Sequence, residues 1–285
     1  LDWLPNVLTS IGLVGRMPEK GKSVGKKRDS EGRGIQSIEV GGRLLRALGE
    51  ASAPMMLRDL AAEANLAPAQ AHAYLLSYRR ANLVEQDIAS GMYRLGPIAL
   101  RLALTRMRCV EPMAMAAKRA VSLSEDLGLM VALVVWGPKT PTTVQVHEGA
   151  HTLNINVRPG TVFSVTGSAG GRIFGAFAGT ETVRQRIQQE LDGEAKDIGI
   201  GVRASRAEFD AEIVRIERQG YSTVSGMPVP GINAVAAPVF DDSGTLALVL
   251  TLIGPTDALD LGPASRAIAE LLSTCRELSQ AASTN

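Results

Sequence analysis

From Ser37 onward, Ile38, Val40, Leu44, Leu45 and Leu48 recur at helical spacing, with Gly49 near the end of the run. Ala53-Pro54-Met55-Met56 interrupts the pattern and leaves room for a brief strand. Leu57, Leu60, Ala61 and Ala64 mark a short second helix. Asn65-Leu66-Ala67 forms a tight turn, and Pro68 suits the first turn of a third helix running to about Arg80. LVEQD and MYRLG then read as two short strands joined by Asp87 to Gly91. Helix, short helix, turn, helix and hairpin make a winged helix-turn-helix over residues 37–96. Its third helix is the one that such a motif places in a major groove. Ala71, Tyr74, Leu75 and Tyr78 share the side expected to face the core. Ala69, Ala73, Leu76 and Arg80 point away, flanked by Gln70, His72, Ser77 and Arg79.

Residues 97–128 read as one or two long helices, with Leu100, Ala103, Leu104 and Met107 on one stripe and an interruption near Pro112. Arg101, Arg106 and Arg108 lie off that stripe, so a linker helix over 97–119 is expected to bury it against a second copy of the chain. The back half, 120–285, mixes strand and helix patterns. LMVALVVW at 129–136, TVQVHE at 143–148 and TLNINV at 152–157 predict strands, and a glycine-opened helix covers 168–179. Two amphipathic surface helices follow, each ending at glycine. The strands YSTVS, INAVAAPVF and TLALVLTLI come next, the last two joined by an Asp241–Gly244 turn, and a helix closes the chain. Antiparallel strands with helices grouped around them give an α+β domain.

Composition narrows the classes. A chain of 285 residues, 45% hydrophobic and 21% charged, has the balance of a globular protein of about two domains. Its longest apolar stretch, LALVLTLIG, falls well short of the roughly 18 residues of a membrane span. Asp2 stands where a signal peptide carries positive charge. Cys109 and Cys275 cannot build a disulfide framework or a four-thiolate zinc site, and both read as packing residues. A cytoplasmic protein is expected, with no membrane partner and no cofactor. The net charge of +1 divides into +3 over 1–36, zero over 37–96, +4 over 97–119 and −6 over 120–285. Positive charge in the front half hints at a nucleic-acid-facing end. The Gly- and Lys-rich residues 1–36 are expected to form a disordered basic extension.

Three short motifs test for chemistry. His147-Glu148-Gly149-Ala150-His151 spells H-E-x-x-H, which binds zinc only where both imidazoles share a helix face; strand-like alternation flanks it here. Thr166-Gly167-Ser168-Ala169-Gly170 resembles a nucleophile elbow but has Thr where the first glycine belongs. The same glycines match neither a Walker loop nor a dinucleotide fingerprint. Ser168-Ala169-Gly170-Gly171 can open a helix, whose free N–H groups and dipole favour an anion. The other reading of these glycines is close packing.

Five segments in order resemble the IclR family of bacterial transcriptional regulators. They are SIEVGGRLLRALGE, LRDLAAEANLAPAQAHAYLLSYRRANLVEQ, ASGMYRLGPIALRLA, RPGTVFSVTGSAGGRIFGAFAG and GINAVAAPVFDDSGTLALVLTLIGP, spanning about Ser37 to Gln280. The resemblance implies an N-terminal winged helix-turn-helix and a C-terminal GAF/PAS-like α+β effector-binding domain. It implies a dimer or tetramer on a pseudo-palindromic operator in double-stranded DNA, with a small organic-acid effector. Gln70 and His72 would then meet base edges, and Arg79, Arg80 and Arg94 phosphates. Gln70 and Ala73 stand where family recognition helices often carry Ser or Thr and then Arg. The effector site implied by the resemblance comprises Phe163, Ser168, Ala169, Gly170, Gly171, Val224, Ser225, Ala234 and Thr251, with the Ser168 and Thr251 hydroxyls orienting the ligand. Some relatives place an acidic residue where Val224 or Ser225 stands. The function expected is regulation of a catabolic operon for small organic or aromatic acids. The competing reading is a small-molecule-binding enzyme of GAF-like or hydrolase type with an N-terminal interaction domain, against which stand the missing triad and metal cluster.

Overall fold

The computed structural model describes residues 34–282 apart from 52, 109, 110, 152 and 154; the expected basic extension and Cys109 lie outside these. The chain divides into two compact units, with the division between Cys109 and Val110. Among the described residues, no helix is long and apolar enough to cross a membrane.

The first unit holds α1 (Gln36–Glu50), α2 (Leu57–Glu63), α3 (Pro68–Arg80), β1 (Val84–Gln86), β2 (Tyr93–Leu95) and α4 (Pro97–Arg108). Leu44, Leu48, Leu60, Ala71, Leu75 and Val84 form its core. The α2–α3 turn passes through Asn65 at φ 53, a left-handed conformation that asparagine tolerates better than most residues. Gly41 allows α1 to cross α3 closely, because a Cβ there would lie 2.1 Å from the Tyr78 hydroxyl. β1 and β2 pair antiparallel, and Met55 adds a one-residue bridge to Tyr93, so the break before α2 is strand-like as expected.

The second unit holds α5 (Glu111–Leu127), β3 (Met130–Trp136), β4 (Pro141–His147), α6 (Ala169–Phe177), α7 (Glu181–Leu191), α8 (Arg206–Gln219), β5 (Ser222–Ser225), β6 (Ile232–Phe240), β7 (Leu246–Pro255) and α9 (Arg266–Ala282). Its strands form one antiparallel sheet in the order β4-β3-β7-β6-β5. Ala132, Val134, Ala236, Val249 and Ile253 on one face pack with Ile173 and Phe174 of α6. Helices α5 and α9 pack together against the other face, where Cys275 Sγ reaches the Ala237 carbonyl. Burial pushes that thiol above its usual pKa range, so Cys275 stays protonated. Coverage of both faces explains why β3 and β7 read as unbroken apolar runs.

One expected strand does not form. The described residues of 152–157 pair with no strand. The free edge of β4 is taken instead by residues 160–163: the Thr143 amide donates to the Thr161 carbonyl and the Phe163 amide to the Pro141 carbonyl. Leu153, Ile155 and Val157 pack their apolar side chains against the α6-side core.

Candidate functional site

In the first unit, α3 buries Ala71 and Leu75 and exposes Gln70, His72, Ala73, Leu76, Arg79 and Arg80. The exposed side is the one expected from helical periodicity. Two of the expected phosphate-contacting arginines already have partners within the chain. Arg94 lies opposite Glu85 in the β1–β2 register, with Nε 3.0 Å from Glu85 Oε2. Arg79 Nη1 donates to Gln86 Oε1 at 2.8 Å, and Gln86 Nε2 donates to the Gly91 carbonyl. The Asp87 carboxylate accepts from the Ser90 amide and hydroxyl, which tightens the wing turn and lowers the carboxyl pKa. Each basic group on the wing side thus faces a polar or acidic one, consistent with the zero net charge of residues 37–96.

In the second unit, a cleft lies between the N-terminus of α6 and the sheet face that α6 covers. Its cavity volume is about 40 Å³. Phe163, Ser168, Ala169, Gly170, Val224, Ala234 and Thr251 line it. Gly171 and Ser225 do not. The Gly171 amide donates to Ser168 Oγ at 2.9 Å, closing the helix cap, and Ser225 is an exposed residue at the end of β5.

The polar groups within the cleft are few. Thr251 is 4% exposed, and its Oγ1 has no hydrogen-bond partner among the described residues. It sits mid-sheet, between Ala132 and Ala236. The amides of Ala169 and Gly170, the first two of α6, have no partner among the described residues either. Free N–H groups at a helix start carry partial positive charge. Ser168 plays a different part from the one expected: its hydroxyl donates to the Ser164 carbonyl at 2.7 Å and accepts from Gly171, so it holds the cap. Among the described residues, none that lines the cleft carries a charged side chain.

Sequence reasoning missed much of the apolar wall. Ile155 and Ile200 come from segments without regular structure, and Met227, Pro228 and Val229 from the β5–β6 connection. The alternation around Ile155 reads as a strand, and the other segments carry no periodicity to read. The one available signal was the pair of glycines, Gly226 and Gly231, that bracket the connection, both at positive φ. The H-E-x-x-H motif falls at the end of β4, with Glu148 to His151 outside any helix, so its imidazoles share no helix face.

A family model described as the IclR helix-turn-helix domain matches residues 37–87. A second, described as bacterial transcriptional regulator IclR C-terminal, matches residues 107–280. The chain belongs to the IclR family. It is a transcriptional regulator with a helix-turn-helix DNA-binding domain and an effector-binding C-terminal domain; the family consists of DNA-binding regulators, not enzymes. The glycerol operon regulatory protein of Streptomyces coelicolor is 28% identical over 213 residues, 73% of this chain and 80% of that one. Among solved structures, HmgR of Pseudomonas aeruginosa is 30% identical, covering 87% of this chain and 98% of its own, with a TM-score of 0.54. An IclR homolog from Microbacterium hydrocarbonoxydans, complexed with 4-hydroxybenzoate, shares the fold at a TM-score of 0.68 and 15% identity, covering 87% of this chain and 100% of its own.

Proposed function

We propose that this regulator controls a catabolic operon for small organic or aromatic acids, and that its effector is a monocarboxylate with an apolar or aromatic body, bound in the α6 cleft. The observation that carries this reading is a buried, unpartnered Thr251 hydroxyl in the same cleft as two free amides at the start of α6. A carboxylate accepts from all three, and Val134, Phe163, Ile200 and Ile253 surround its apolar part. With no cationic side chain among the described residues of the lining, the helix terminus compensates a single negative charge, and a second carboxylate would go unpaired. A structural neighbour complexed with 4-hydroxybenzoate, an aromatic monocarboxylate, fits this class.

A thermal-shift series tests it. At about one hundred times Kd, an effector adds about 2.7 kcal/mol, a rise of about 5–10 °C for a domain of this size. Benzoate, 4-hydroxybenzoate and phenylacetate are compared with their carboxamides. Stabilisation by at least one acid and by no matching amide is the expected result. Stabilisation by amides equally, or by dicarboxylates alone, counts against the anion cradle.

On the DNA side, α3 enters the major groove, and two copies related by a two-fold axis bind a pseudo-palindromic operator. Gln70 and His72 meet base edges, while Arg79, Arg80 and Arg94 meet phosphates. Gln70→Ala is expected to relax choice at one base pair at a cost of about 1–3 kcal/mol, while Arg94→Ala weakens binding to all sequences alike and reduces the salt slope by about one. Because Arg94 is paired with Glu85 before DNA arrives, Glu85→Gln should raise non-specific affinity several-fold. Fluorescence anisotropy across a salt titration reads all three. A changed sequence preference in Arg94→Ala at unchanged salt slope would overturn these roles.

A further inference from the structure

The most unusual buried group in the second unit is a carboxylate that the effector reading does not use. Glu190 lies in the last turn of α7, seven residues after the buried Val183, so it occupies the helix face where an apolar residue belongs. It is 0% exposed. A buried carboxylate is costly unless its oxygens are fully hydrogen-bonded, and those of Glu190 are saturated. Oε1 accepts from the Val165 amide at 3.1 Å and from Arg186 Nε at 3.0 Å. Oε2 accepts from the Ser164 hydroxyl at 2.7 Å, the Thr166 amide at 3.1 Å and the Thr166 hydroxyl at 3.0 Å.

All the donors apart from Arg186 belong to 164–166, the three residues before the Gly167–Gly170 wall of the cleft. The chain of bonds runs on from there. Ser164 Oγ, while donating to Glu190, accepts from the Gly167 amide at 2.8 Å. The Ser164 carbonyl accepts from Ser168 Oγ, which caps α6 by accepting from the Gly171 amide. The Thr166 carbonyl accepts from Arg172 Nε. A single charge thus holds the turn whose geometry sets where the free Ala169 and Gly170 amides stand. On the far side, Arg186 also bonds the Asp197 carbonyl, tying the network to the 192–200 connection that brings Ile200 to the cleft.

We propose that Glu190 is a positioning residue of the effector site, whose buried carboxylate fixes the 164–168 turn and thereby aims the α6 amides at the ligand. The inference rests on the α6 cleft being the effector site, but its first test needs no ligand. Hydrogen exchange of the full-length protein is compared for the native chain and Glu190→Gln. The substituted amide presents an N–H₂ group to donors, so at least one donor of the turn loses its acceptor. Exchange in residues 163–171 should rise at least about tenfold, with α8 and α9 unchanged. A uniform rise across the second unit, or no rise, overturns the proposal.

Thr166 supplies the second pair of variants and covers the case in which Glu190→Gln does not fold. Thr166→Val removes one hydroxyl donor at constant volume, whereas Thr166→Ser keeps it. The probe is 4-hydroxybenzoate, followed by calorimetry. Thr166→Val should weaken it about tenfold and Thr166→Ser should restore native affinity. Equal loss in both, following only their melting temperatures, would mean that the network is merely structural. If 4-hydroxybenzoate does not bind the native protein, that result counts against the ligand class alone. The exchange comparison of the same two Thr166 variants then decides the role of Glu190: faster exchange at 163–171 in Thr166→Val but not in Thr166→Ser supports it, and the same rate in both overturns it.

Discussion

Gly170→Asp is expected to abolish the response to effector and to leave operator binding intact. A Cβ at Gly170 would lie 3.2 Å from Thr251 Oγ1 and 4.0 Å from Val249 Cγ1, so the new carboxylate enters the cleft beside its unpartnered hydroxyl. The backbone there is ordinary helix, and an acid in the first turn favours the helix dipole, so the domain folds. The cradle then holds a resident anion. Two carboxylates at about 4 Å repel by about 4 kcal/mol at a site of intermediate polarity, close to a thousandfold in affinity. Gly170→Ala serves as the control for bulk, since it narrows the cleft without charge and should weaken the effector far less. Operator release is measured against effector concentration for the three proteins. A Gly170→Asp protein that binds operator and releases it at the native effector concentration would place the ligand elsewhere.

Leu104→Asp is expected to give monomers and to lower operator affinity by about two to four orders of magnitude, the span that linking two modest contacts provides. Leu100 and Leu104 are 63% and 42% exposed in the single chain, and Ala103 between them is exposed too. Leu102, on another side of α4, is 60% exposed as well. Leucines at this density on a short helix imply a cover. The winged unit has zero net charge over residues 37–96, and so offers little general attraction to DNA by itself. In the proposed dimer, two copies would share one cost of association across both half-sites. Sedimentation velocity and anisotropy on an operator fragment read the two effects together, and monomers that bind with native affinity would remove the argument.

Where the fold was legible in advance, the signal was local. α3 shows its core side through Ala71 and Leu75 because 3.6 residues make a turn wherever the helix sits, and Pro68 and Asn65 mark its start and the turn before it. The β6–β7 hairpin was readable because Asp241 to Gly244 close a turn between two apolar runs, with the Asp241 carboxylate accepting from the Ser243 and Thr245 amides. Of the lining residues anticipated from family resemblance, Ser168, Ala169 and Gly170 lie at the α6 start and Val224, Ala234 and Thr251 on the sheet, where spatial neighbours follow from strand register, while Phe163 comes from the 160–163 segment beside β4.

Local sequence was enough for the order and type of nearly all the elements, the exposed side of α3 and the glycine-opened start of α6, because each depends on residues within a few positions of one another. Only the tertiary structure decided which segment covers the β4 edge. TLNINV alternates like a strand, but residues 160–163 take the hydrogen bonds, and Ile155 is left to wall the cleft. The same holds for Ser168 and Glu190. A serine before a glycine-opened helix can cap it or meet a ligand, and an acid on an amphipathic helix reads as solvated. Which role each takes depends on the Ser164 carbonyl and the Val165 and Thr166 amides, and the latter lie more than twenty residues from Glu190 in the chain. Hydrophobic periodicity records which side chains leave water; it does not carry the identity of the distant polar group that each buried charge or hydroxyl must find.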